Sequence, residues 1–118
     1  VVAAGAPIEA IEQQDDLDVP KSLLKTGGEY FALRVKGDSM IEDCIRENDY
    51  VVIRRQATAL NGQTVVAIID GEATIKRYYK KKSHIELHPA NPNYEIIKVE
   101  NREFRIIGVL SSLIRPFA

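Results

Sequence analysis

The stretch Asn61–Arg77, NGQTVVAIIDGEATIKR, decides how the chain folds. Asn61-Gly62 marks a turn, Thr64–Ile69 reads as a strand, Asp70-Gly71 as a tight turn, and Glu72–Tyr79 as the returning strand. Asp-Gly is a preferred two-residue hairpin connection because both central residues need positive φ. Pairing outward from it sets Ile69 opposite Glu72, Ala67 opposite Thr74 and Val65 opposite Lys76. With a period of two, Glu72, Thr74, Lys76 and Tyr78 share one face. The hairpin therefore carries a lysine at mid-strand, two residues from a threonine and opposite apolar side chains.

Other strands flank it. Tyr30–Lys36 alternates, with Phe31, Leu33 and Val35 on one side, and Tyr50–Ile53 is an apolar run suited to burial on both faces. Further strands are expected at His84–His88, Glu95–Val99 and Phe104–Leu110, and one helical turn within Ser39–Ile45. Ile and Val number 24 against 8 Leu, a ratio that favours sheet because β-branched side chains fit a pleated surface. Six or seven short strands with little helix make an all-β, partly closed domain.

A chain of 118 residues has room for one domain and a core that needs no disulfide or metal. Its 16 basic and 17 acidic residues nearly cancel, which argues against a uniformly basic nucleic-acid binder. The charge is unevenly placed. Residues 1–20 hold Glu9, Glu12, Asp15, Asp16 and Asp18 and no base, and read as a solvated connector that could lie back on the mildly basic remainder. The basic run Lys76–Lys82 interleaves aromatics, but its second half falls at a hairpin tip and reads as a solvated turn. The single cysteine excludes an intramolecular disulfide and suits a reducing compartment. No apolar run approaches a membrane span. The chain begins at Val1 rather than Met, so an upstream piece is expected.

Several chemistries fail on inspection. Gly37-Asp38-Ser39-Met40-Ile41 lacks the second glycine of a nucleophile elbow, and no phosphate loop is present. His84 and His88 have no third ligand nearby in sequence, so neither a metal nor another cofactor is expected. Cys44 has no histidine partner and reads as a packing residue. Ser39 and Lys76 remain. Lys76 could be an edge-strand lysine reaching solvent. It could instead be the base of a Ser–Lys dyad, in which a neutral amine takes the serine proton. From an ordinary pKa of about 10.4, neutrality near pH 7 requires roughly 4 kcal/mol of differential interaction, which an apolar pocket can supply.

Gly37-Asp38-Ser39-Met40, Asn48-Asp49-Tyr50-Val51-Val52 and the 61–77 run together resemble the LexA repressor family, whose self-cleaving relatives include phage repressors and UmuD. Val2-Ala3-Ala4-Gly5 resembles that family's cleavage site. Ser39 and Lys76 lie 37 residues apart, and Gly5 and Ser39 lie 34 apart, both in keeping with the family pattern. The resemblance implies a partly closed β domain like that of LexA and signal peptidases. Residues 1–20 would be its cleavage-site segment and connector, and 21–118 its catalytic core. It implies Ser39 as nucleophile, Lys76 as general base and Ala4–Gly5 as the bond cut, with Thr74 and Met40 in support. The backbone N–H groups of Ser39 and Asp38 would form the oxyanion hole.

The resemblance further implies a homodimer formed through the C-terminal strand, the RecA filament on single-stranded DNA as activator, and no membrane partner. Operator DNA would be bound only by an upstream helix-turn-helix domain absent from this chain, in a cytoplasmic, nucleoid-associated bacterial repressor. The sequence departs from the pattern at Cys44 and Asn48, where glycine is common, and at Glu95, where proline is common. A UmuD-like or phage-repressor domain, a signal peptidase and a non-catalytic β-rich interaction module stay open as alternatives.

Overall fold

The Asp70-Gly71 turn adopts the positive φ that its residue types suit, 49° and 84°. The computed structural model describes residues 11–12 and 17–117. Its strands are β1 (Ile11–Glu12), β2 (Tyr30–Val35), β3 (Tyr50–Arg55), β4 (Thr64–Ile69), β5 (Glu72–Lys80), β6 (Ile85–His88), β7 (Ile97–Val99) and β8 (Phe104–Ile114). They form one sheet in the order β1-β2-β3-β8-β4-β5-β6-β7, antiparallel at every pairing. Because β1 also lies close to β5, the sheet curls rather than extending flat. The expected all-β, partly closed domain is what forms.

The β4–β5 register matches the sequence reading residue for residue: Ile69 pairs with Glu72, Ala67 with Thr74 and Val65 with Lys76. Both faces of this hairpin are covered. Val65, Ala67 and Tyr78 pack with Ile69, Leu87, Ile97 and Ile106 on one side. Val66 and Ile75 pack with Val35, Met40, Val51 and Ile53 on the other. Each such fully buried aliphatic side chain contributes about 1.5–3 kcal/mol relative to exposure.

Boundaries shift at the periphery. β6 starts one residue late, at Ile85, and β7 two residues late, at Ile97. β8 runs four residues past Leu110, along β3. The helical turn is a single 3-10 turn, Ile41–Asp43, just after Ser39.

Cys44 corrects an expectation, since it is exposed rather than packed. It ends that turn in the left-handed region with φ 62°, and Asn48 follows with φ 74°. These are two of the positions where the family resemblance puts glycine, which adopts such angles without a Cβ clash. Turn geometry, not packing, governs both positions.

Candidate active site

Strand β5 and the β2–β3 connection meet at a buried contact between Lys76 and Ser39. Lys76 pairs with Val65 of β4, while the pairing of β5 with β6 begins only at Arg77, yet the Lys76 side chain is 1% exposed and does not reach solvent. Its Nζ lies 2.9 Å from Ser39 Oγ, 2.8 Å from Thr74 Oγ1 and 3.0 Å from the Ile75 carbonyl oxygen. Ser39 and Thr74 are fully buried. Met40, the residue after the serine, is fully buried in the core and anchors that side of the turn.

The chemistry of these three partners is unequal. A carbonyl oxygen can only accept, whereas hydroxyls can accept or donate. An ammonium donates to all three. A neutral amine can give one N–H to Ile75, one to Thr74, and turn its lone pair to the Ser39 O–H. The same geometry therefore serves both protonation states without a side chain moving.

The Ser39 turn is held from several directions, by residues the sequence reading did not single out. Ala90 N–H donates to the Ser39 carbonyl at 2.7 Å, and Glu42 N–H to the Ala90 carbonyl at 2.8 Å. Asn91 Nδ2 donates to the Asp38 carbonyl at 2.9 Å, and Tyr94 OH to Asp38 Oδ1 at 2.6 Å. Arg77, next to Lys76 on β5, makes a two-pronged ion pair with Asp43, its Nε lying 2.9 Å from Oδ2. Arg115 grips Asp49 through both carboxylate oxygens at 2.7 Å and also donates to the Cys44 carbonyl. Burial pushes the Asp49 pKa up, but hydrogen bonds from Arg115 and the Arg46 N–H outweigh it and hold the carboxyl below its usual range. The Asn91-Pro92-Asn93-Tyr94 sequence was the available signal for the Asp38 clamp; the Arg77–Asp43 contact spans 34 residues and left no local trace.

Ala4 and Gly5 lie outside the described residues. His84 and His88 both hydrogen-bond to Glu86, whose carboxylate accepts from the two rings at 2.9 and 2.8 Å. No group of three or more His, Cys, Asp or Glu side chains among the described residues could hold a metal. No helix among them is long and apolar enough to cross a membrane.

Comparison with known proteins finds relatives along nearly the whole chain. The LexA repressor of Syntrophotalea carbinolica is 55% identical over 117 residues, covering 98% of this chain and 57% of that protein. The LexA repressor of Syntrophobacter fumaroxidans is 49% identical, covering 99% and 56%. That of Syntrophomonas wolfei is 44% identical, covering 97% and 55%. The chain thus spans somewhat over half the length of the curated relatives it matches. The Peptidase S24-like family matches residues 1–111, and with that coverage the chain belongs to the Peptidase S24-like family.

Proposed function

We propose that this chain is the self-cleaving and dimerisation part of a LexA-type repressor of the SOS response to DNA damage, cutting its own Ala4–Gly5 bond. The observation that carries this reading is the buried 2.9 Å contact between Ser39 Oγ and Lys76 Nζ in a member of this peptidase family. Burial disfavours the charged ammonium, and a neutral Lys76 accepts the Ser39 proton as Oγ attacks the Ala4 carbonyl. The Ser39 and Asp38 N–H groups stabilise the resulting oxyanion. Collapse breaks the Ala4–Gly5 bond, and Lys76 returns the proton to the Gly5 nitrogen. Water, deprotonated by the same amine, then hydrolyses the Ala4 ester.

Reach supports a cut in cis. Ile11 pairs with Val35, four residues before Ser39, and Gly5 is six residues before Ile11. Six extended residues span about 20 Å, enough to cross that gap. Tethering raises the effective concentration of the bond, so a single-turnover cut needs no high affinity.

Further parts of the proposal concern the longer protein. Cleavage would separate this part from an upstream helix-turn-helix domain that binds operator DNA. The RecA filament would favour the cleavable conformer and shift its population. Among the described residues, Leu110–Ile114 of β8 has a strand partner on the β3 side only, which leaves an edge suited to pairing with a second copy. A cytoplasmic, nucleoid-associated location fits this role.

The test is incubation of the chain across pH 7–10, followed by mass spectrometry for a Gly5–Ala118 fragment. Cleavage should speed up with pH as Lys76 deprotonates, and Ser39→Ala should abolish it. An unmodified chain that stays whole at pH 10 refutes the proposal.

A further inference from the structure

The turn formed by Pro89–Tyr94 touches neither Ser39 Oγ nor Lys76 Nζ through any of the contacts described above. It nevertheless grips the backbone that presents Ser39. Asn91 is 7% exposed, and its Nδ2 reaches the Asp38 carbonyl oxygen at 2.9 Å, across 53 residues of sequence. The orientation of its carboxamide is settled by its other end. Oδ1 accepts from the Asn93 N–H at 2.9 Å, which only an oxygen can do.

The Asp38 carbonyl and the Ser39 N–H belong to one peptide group. In a planar trans peptide they point in opposite directions. A donor that holds the carbonyl on one side therefore fixes where the N–H points on the other. It also polarises the amide, making its N–H a stronger donor, since linked hydrogen bonds reinforce one another. The next peptide is held in the same manner, by Ala90 N–H on the Ser39 carbonyl, and Tyr94 holds the Asp38 side chain.

We propose that Asn91 is a positioning residue for the oxyanion hole, acting through the Asp38–Ser39 peptide to aim the Ser39 N–H at the developing negative charge. This rests on the self-cleavage reading above and extends it to a residue remote from Ser39 in sequence. It separates two functions within Asn91: Oδ1 shapes its own turn, while Nδ2 serves the reaction.

Asn91→Asp tests that separation, because it keeps an acceptor for Asn93 and loses the donor to Asp38. Self-cleavage of the chain at pH 9 should fall about ten- to hundredfold, the scale of a misaimed oxyanion donor. The Ser39 amide nitrogen resonance should move as its peptide loses the carbonyl hydrogen bond. Cleavage by Asn91→Asp at the unmodified rate, or an unmoved Ser39 resonance, overturns the proposal. Should Asn91→Asp fail to fold, Asn91→Ala takes its place. There the rate should fall while the pH midpoint of cleavage, which belongs to Lys76, stays put; a shifted midpoint means the loss runs through the lysine and overturns the proposal. An unmodified chain that is never cut, or a Ser39→Ala chain that is, overturns the self-cleavage reading and this one with it. Equal cutting of the unmodified and Asn91→Asp chains overturns this one alone.

Discussion

Lys76 and Lys80 stand on the same strand and, with a period of two, on the same face, yet one is buried and the other lies in solvent. The difference comes from their neighbours. Lys76 faces Val65 within β4, where core covers both sides of the hairpin. Lys80 lies beyond the end of β4, since Thr64 already pairs with Arg77, and its partner is Ile85 at the start of β6. An exposed ammonium keeps its hydration and its proton. A buried one loses hydration and depends on the three oxygens around it. One residue type thus becomes a solubilising charge at one end of a strand and a candidate base at its middle.

The largest expected effect breaks this contrast directly. Lys76→Ala should reduce self-cleavage by more than about 1,000-fold, as removal of one member of a nucleophile–base unit does. Lys80→Ala should leave the rate within about twofold, as expected of a side chain outside the reacting geometry. Quantifying the Gly5–Ala118 fragment over time checks both. Comparable losses in the two variants would mean that burial does not set the lysine's role.

How far the sequence reveals this contrast follows from which forces act locally. The β4–β5 register was legible because a two-residue Asp-Gly turn sets the pairing, and the strand period then carries it to Lys76. Thr74 beside Lys76 follows from the same arithmetic. Whether Lys76 is buried does not, because that depends on contacts remote in sequence, with Ser39 meeting it from the β2–β3 connection. Period alone favours an edge lysine reaching solvent; the resemblance to the LexA family, with its Ser39–Lys76 spacing, reverses that reading. Cys44 was misread for a related reason: a small apolar side chain suggests packing, while the backbone requirement of the turn end is invisible in composition. Asn91, Tyr94 and the Arg77–Asp43 pair are long-range contacts with no periodic signature.

A smaller effect sharpens the account of the buried lysine. Thr74→Val keeps the side chain's shape and removes the Oγ1 that lies 2.8 Å from Lys76 Nζ. An ammonium loses more from this than an amine, because it has an additional N–H to satisfy and a full charge to stabilise. The amine should therefore deprotonate more readily, and the pH midpoint of cleavage should move down. The plateau rate should fall about tenfold as the lysine loses an orienting partner, and Thr74→Ser should restore both. A midpoint that moves up would mean that Thr74 favours the neutral amine instead. The pH–rate profiles of the three chains decide between these directions.

The smallest expected effect belongs to the exposed side of the comparison, where β6 runs beside the Lys80 end of β5. Glu86 pairs across to Tyr79, and hydrogen bonds from His84 and then His88 lower its pKa from 4.5 to about 2, with the Lys81 charge adding to them. A carboxylate with a depressed folded-state pKa stabilises the fold above its unfolded pKa, and that contribution disappears as pH falls through the folded value. Glu86→Gln should therefore lower the melting temperature slightly at pH 6, and the gap to the unmodified chain should close between about pH 4.5 and pH 2. Its rate of self-cleavage should be unchanged at pH 9. A melting difference of equal size at pH 2 and pH 6 would show that shape, not charge, holds Glu86 between its histidines. A change in cleavage rate would break the separation between the two ends of β5, because solvent screens charges at the exposed end. Lys76, shielded from that solvent, responds to the groups in direct contact with it.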